Sequence, residues 1–280
     1  MAKFSSFYFL VMLGAYSAAS AQTPAANLLP DGSHDLYIGL GAESRAIYPG
    51  ARETRVTALP VLQMEWSNGA FIAGTSAGMH LSDQAQQEYG PLLMLEGRRS
   101  PDGASTAAVS INNGIAPVGQ VSSSNKLLGM EEINPRLLAG GFYHFVITDT
   151  LRLTNSLLYG AGNSHDGLRW NSDLRYHIAA SAAHHVLSVS AGVTVVNQAY
   201  NQAYFGVTPA ESLRSHNRAY TPSAGVKDVH ADLHWNWALN PAWLLTSALN
   251  VTRLNGSAAD STLVERRSNL TVSSALAYRF

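Results

Sequence analysis

The chain has 280 residues, a formal net charge of −1, only 13% charged residues and no cysteine. That length admits one large all-β domain or two small domains. The charge balance offers no basic excess for a nucleic acid, and the lack of cysteine excludes disulfides, thiolate metal sites and cysteine nucleophiles.

Residues 1–21 read as a cleaved secretory leader. Lys3 supplies the positive start, "FYFLVMLGAYSAA" the apolar stretch, and Ala19, Ser20 and Ala21 a small-x-small cleavage site. The apolar stretch is shorter than the roughly 20 residues of a spanning helix. Cleavage between Ala21 and Gln22 is expected, and loss of Lys3 then takes the net charge from −1 to −2.

From there to the end the dominant signal is period two. Candidate strands fall near residues 35–44, 54–66, 69–79, 88–99, 134–149, 151–162, 168–180, 185–200, 226–239, 242–254 and 268–280. In "LRWNSDLRYHIA", Leu168, Trp170, Leu174, Tyr176 and Ile178 oppose Arg169, Asn171, Asp173, Arg175 and His177. In "VKDVHADLHWNWAL", Val229, Ala231, Leu233, Trp235, Trp237 and Leu239 oppose Asp228, His230, Asp232, His234 and Asn236. The last segment puts Leu276, Tyr278 and Phe280 on one face and Ala275, Ala277 and Arg279 on the other. Such alternation predicts strands with one apolar and one polar face.

These strands exceed the globular norm of about 5 to 6 residues and match the roughly 9 to 11 that a tilted strand needs to cross a bilayer. Trp66, Trp170, Trp235, Trp237, Trp243 and Tyr278 lie near strand ends, where aromatic girdles belong. Short connections (Ser67–Gly69, Asp149–Thr150, Ser181–His184, Asn240–Pro241) alternate with longer polar ones (about 100–134, 162–167, 201–225 and 255–261). The pattern predicts an antiparallel β-barrel of the bacterial outer membrane, with lipid and lipopolysaccharide against the apolar face. An open sheet edge in hydrocarbon would leave backbone groups unsatisfied, so the sheet must close. Eleven candidates conflict with the even strand number usual in bacterial barrels, so ten or twelve strands are expected, with residues 69–99 and 100–133 the ambiguous regions. A terminal Phe280 with Tyr278 and Leu276 also fits an outer-membrane sorting signal.

Chemical motifs are sparse. "GTSAG" (Gly74–Gly78) matches G-x-S-x-G, but no helical pattern follows Ser76, as a nucleophile elbow requires. His230 and His234 share a face but stand roughly 13 Å apart at strand rise, too far to share an ion without neighbours. Asp173, Asp228, Asp232, Arg169, Arg175 and His177 are expected to form a network of paired charges in the lumen. No catalytic residue, metal ligand or cofactor is assigned.

The chain resembles the MipA/OmpV family of MltA-interacting outer-membrane proteins. The resemblance rests first on "AYFGVTPAESLRSHNRAYTPSAGVKDV", with Tyr204, Phe205, Gly206, Val207, Thr208, Pro209, Ser212, Tyr220, Gly225, Lys227 and Asp228 in the family's pattern. "TRLNGSAADS" adds Arg253, Leu254, Gly256, Ala258, Asp260 and Ser261, and "GLGAESRAIYPGA" adds Tyr48 and Gly50. "LLGMEEI" and the terminal "ALAYRF" extend the likeness. Departures at Ala51, Ser257 and Thr262 fall in predicted loops. The resemblance implies a non-enzymatic scaffold joining a murein transglycosylase to a penicillin-binding protein. A small-solute channel and an outer-membrane lipase are the alternatives.

Overall fold

Side chains that alternate between apolar and polar need two different solvents on the two faces of one sheet. A computed structural model describes residues 33–82, 84, 86–100, 103–104, 126–160, 167–178 and 184–280 and shows how this is met. The strands are β1 (His34–Ala46), β2 (Thr54–Trp66), β3 (Ala70–Ala73), β4 (Ser76–Met79), β5 (Gln87–Glu96), β6 (Arg99–Ser100), β7 (Gly103–Ala104), β8 (Arg136–Thr148), β9 (Leu151–Gly160), β10 (Gly167–Ile178), β11 (His185–Val196), β12 (Gly225–Ala238), β13 (Trp243–Leu254) and β14 (Ser268–Arg279). Twelve of them form one closed antiparallel barrel, and β6 and β7 form a separate hairpin. Each barrel strand pairs with its sequence neighbour, except that β5 meets β8 and β14 returns to β1. That last pairing sets Tyr37 against Arg279 and leaves the barrel without a free first or last strand.

The expected even number is thus twelve. The segment 69–79, read as one strand, is the hairpin β3–β4, which turns at Gly74 with φ +59°. Four-residue strands extend only about 14 Å at strand rise. They line β2 and β5 at the end of the barrel that holds the short turns. Beyond Gln63, the described residues supply no partner strand to the outer edge of β2. Pro60 lies on that edge: Leu62 accepts from Gly74 N on the β3 side, and Pro60, two residues along, faces the same way. A residue without an N–H is tolerated where no neighbouring strand asks for one.

The two faces separate as the alternation requires. Leu168, Trp170, Leu174 and Tyr176 are exposed on the outer surface, as are Val229, Leu233, Trp237, Leu249, Val251 and Leu276. The membrane covers this belt. At the short-turn end it carries clustered rings: His185 stacks 5.3 Å from Trp237 and 5.9 Å from Trp235, and Trp243 meets Tyr278 edge-to-face at 5.1 Å. Such an aromatic belt marks the interface with headgroups. Inside, two apolar clusters interrupt the polar wall. One joins Tyr37, Leu59, Val61, Leu244, Ala275 and Ala277; the other joins Phe71, Leu92, Met94, Leu138, Phe142 and Leu158.

Turns at Ser67–Gly69, Asp149–Thr150 and Asn240–Pro241 are short, as expected. The long connections at the opposite end hold three helices absent from the sequence reading: α1 (Gln198–Phe205), α2 (Pro209–Arg214) and α3 (Gly256–Ala259). The expected leader with its Ala21–Gln22 junction, residues 181–183 of the expected short turn and the loop at 162–166 lie outside the described residues.

Candidate functional site

The long connections fold onto one another as a cap over the outer end of the barrel. Each begins with a local instruction. Asn197 caps α1 by accepting from Tyr200 N at 2.9 Å. Thr208, Pro209 and Glu211 form a capping box with proline in the first turn: Thr208 Oγ1 accepts from Glu211 N at 3.2 Å, and the Glu211 carboxylate accepts from Thr208 N at 2.9 Å. Glu211 also accepts from Glu131 N at 3.1 Å, tying α2 to the 126–133 segment. Burial would push its carboxyl up, but the hydrogen bonds from Thr208 and Glu131 outweigh this and hold it below the ordinary value.

Two apolar clusters fill the cap. Ile47, Tyr48, Ala51, Leu127, Met130, Val207 and Leu263 form one, and Phe205, Leu254, Ala258 and Ala259 the other. Polar pins fix their edges. Tyr48 donates its hydroxyl to Leu263 O at 3.2 Å, and Gly50 O, at a turn with φ +95°, accepts from both Glu265 N and Arg266 N at 2.9 Å. Ser261 Oγ donates to Phe205 O at 2.6 Å and accepts from Leu263 N at 3.1 Å.

Beneath the cap lies a layer of buried charge. Glu96 receives Arg136 Nε at 2.8 Å on one oxygen and Arg169 Nη1 at 3.3 Å on the other. Lys227 Nζ meets Asp228 Oδ2 at 2.8 Å. The underside of α1 rests on these cations: the Arg136 guanidinium stands 5.6 Å from the Tyr204 ring and Lys227 Nζ 5.7 Å from the Tyr200 ring. Arg99 donates to Tyr204 O at 2.8 Å. Burial first, then the nearness of Glu96 and Tyr200, pushes the Tyr204 phenol well above its ordinary range. Each cation thus has a counter-charge or a π-face, which offsets part of its burial. Farther toward the short turns, Arg152 pairs with Glu88.

A second constellation lies on the wall of β10, β11 and β12. His230 Nε2 stands 2.6 Å from Asp173 Oδ1, and its Nδ1 stands 3.1 Å from Asp228 Oδ1. Asp232 accepts from Asn250 Nδ2 at 2.6 Å and from Ser190 Oγ at 3.4 Å. Sequence reasoning looked along β12, from His230 to His234, and missed the approach of Asp173 from β10, two strands away.

The expected lumen network of Asp173, Asp228, Asp232, Arg169, Arg175 and His177 is therefore divided. Asp173 and Asp228 converge on His230, while Arg169 joins Glu96 and Arg136. Ser76 lies in β4, buried and paired with Ala73 and Met94, and a strand rather than a helix follows Gly74, so no nucleophile elbow forms there. Of the motif residues, Tyr48, Gly50, Tyr204, Phe205, Gly206, Pro209, Ser212, Gly256, Asp260 and Ser261 gather in or beside the cap, with Lys227 and Asp228 beneath it. Asp260 Oδ1 meets Arg267 Nη2 at 2.8 Å on the exposed side. Arg253 stays apart, on the outer surface of β13. Leu276 and Phe280 face the membrane, with Tyr278 edge-to-face at 4.9 Å from Phe280.

The profile of the family described as "MltA-interacting protein MipA" matches residues 38–280. The chain belongs to the MipA family. Family and lipid-facing belt together make it an outer-membrane barrel. No curated protein matches it. Among solved structures it is similar to the NanC porin at 9% identity, TM-score 0.45, covering 88% of this chain and 99% of that one. It is likewise similar to the COG4313 outer membrane channel from Pseudomonas putida F1 at 10% identity, TM-score 0.45, covering 93% and 100%. The segment matched to the family contains the whole cap and the charge layer beneath it.

Proposed function

We propose that this MipA-family barrel is a non-conducting, non-enzymatic scaffold that holds a murein transglycosylase and a penicillin-binding protein together at the inner face of the outer membrane. The observation that carries the reading is the packed cap at the outer end, with buried charge directly beneath it. A pore needs a hydrated path between its two ends. Here α1 sits on Arg136 and Lys227, and the Glu96, Arg136 and Arg169 cluster lies in the lumen beneath it. A lumen of twelve strands that is partly filled by such side chains argues against a wide pore. The family description, an MltA-interacting protein, supplies the class of partner. Such partners would meet the face formed by the short turns, which in outer-membrane barrels lies in the periplasm.

The test is cross-linked retention from native envelopes, run beside planar-bilayer conductance. Recovery of a murein transglycosylase and a penicillin-binding protein, with no single-channel steps, is the expected result. Steady conductance without retained murein enzymes would replace the scaffold by the channel. Hydrolysis of detergent-dispersed phospholipid that disappears in Ser76→Ala would replace it by the lipase.

A further inference from the structure

We propose that Asp173, His230 and Asp232 form a binding site for a divalent cation of the zinc class on the lumen wall. The oxygen and nitrogen donors of the three side chains lie within 4.8 Å of one another. They come from two strands that are not neighbours, and the strand between makes their meeting possible. Gly192 of β11 pairs with Asp173 on one side and with His230 on the other. A Cβ at Gly192 would collide with Asp173 Oδ1 and stand 2.7 Å from His230 Nε2. The absent side chain leaves the room in which Asp173 Oδ1 and His230 Nε2 meet across the strand between them.

Two of the three donors are also aimed. A metal-bound histidine characteristically gives its second N–H to a carboxylate, which fixes ring and tautomer. His230 Nδ1 faces Asp228 Oδ1 at 3.1 Å, and Asp228 is held in turn by Lys227 at 2.8 Å. Asp232 is oriented by Asn250 and Ser190. The side chain of Asp173 keeps 16% of its surface accessible, so one ligand remains open to solvent.

The donor set selects the ion. Two carboxylates and one imidazole, with no sulfur, suit Zn2+ or a similar borderline ion rather than a soft one. Three protein ligands leave a fourth position for water. Zinc–ligand distances of about 2.0–2.2 Å place neighbouring tetrahedral donors about 3.4 Å apart. His230 Nε2 and Asp173 Oδ1 must therefore separate from 2.6 Å, while the wider spacings draw in. A ring with carboxylates at both nitrogens satisfies both contacts only by donating from each. The ion takes the place of the proton between Nε2 and Asp173, and that proton leaves to solvent.

The experiment uses the full chain without a histidine tag, folded in detergent micelles and titrated with Zn2+ by calorimetry in two buffers of different ionisation enthalpy. The expected result is one equivalent bound with about one proton released, and affinity falling tenfold or more in Asp232→Asn, in His230→Gln and in Gly192→Ala. Co2+ should give visible bands of a low-coordinate site that vanish in the same variants. Heat-modifiability on gels verifies that each variant is folded. Should His230→Gln fail to fold, Asp232→Asn decides, since its amide keeps the shape and can still accept from Asn250. Absence of binding to the wild type overturns the proposal. So does an unchanged Asp232→Asn isotherm, or binding removed by His216→Ala on the exposed surface.

Discussion

Replacing Leu233 by arginine tests whether the outer face of β12 is lipid-facing at mid-membrane. Leu233 lies five residues before Ala238, the last residue of the strand. Five residues at about 3.4 Å make about 17 Å along the strand. A tilt of about 40° reduces this to about 13 Å along the membrane normal, half of an apolar band about 25 Å tall. The side chain is 38% exposed on the outer surface, with Val189 and Leu249 as cross-strand neighbours. A charge at that depth costs about 2–4 kcal/mol, or about 30- to 1,000-fold in the folding equilibrium. His234→Arg, one residue along, turns the same charge into the lumen, where Arg175 and Asp232 are its charged neighbours, and should cost less than Leu233→Arg. Folding into lipid vesicles across a urea series, read by heat-modifiability and tryptophan emission, compares the two directly. Equal midpoints would refute the assignment of faces on which the membrane reading rests.

Three further outcomes concern the cap and the rim. Ser261→Ala removes a buried donor to Phe205 O and an acceptor for Leu263 N, so the cap should loosen by about 1–3 kcal/mol, seen as faster amide exchange in α1 with unchanged exchange in the barrel strands. Because Glu211 is held below its ordinary value in the folded cap, its contribution is complete above that ordinary value and is lost as pH falls through the depressed one; proteolysis of the 208–214 segment should therefore rise on acidification in the wild type, whereas Glu211→Gln should show a flatter pH profile. Phe280→Ser removes a 69%-exposed aromatic that meets Tyr278 edge-to-face and should lower outer-membrane yield, with Phe280→Trp retaining most of it, as measured by fractionation and heat-modifiability.

Much of the barrel was legible because alternation is a property of the chain itself. Leu168, Trp170, Leu174 and Tyr176 announce their shared face without any knowledge of neighbours. The β3–β4 hairpin was not legible because four-residue strands carry too little alternation, and Gly74–Thr75 sits among small residues that look alike on both sides. The helices of the cap hid for a related reason: α1 has no charged residue and α3 is a single turn. One signal was present and went unread, since Thr208, Pro209 and Glu211 are spaced as a helix start requires. The convergence of Asp173 on His230 could not be read from one strand. It depends on the register of β10, β11 and β12, and a slip of one residue would turn these side chains outward.

Closure of the barrel has a kinetic side. Eleven of the twelve neighbour pairings join strands that follow one another in the barrel's own order along the chain, so a growing sheet can add them one at a time. The twelfth brings Tyr37 to Arg279, 242 positions away. By the logarithmic cost of closing a flexible loop, that single contact is about 3 kcal/mol more demanding entropically than one across ten residues. The eleven-step sheet would lower the cost by carrying the two edges toward each other, and the Tyr37–Arg279 seam should then be the last to form. Substitutions along this seam should slow folding to the extent that closure limits the rate, while those in internal hairpins formed after the barrier should chiefly hasten unfolding.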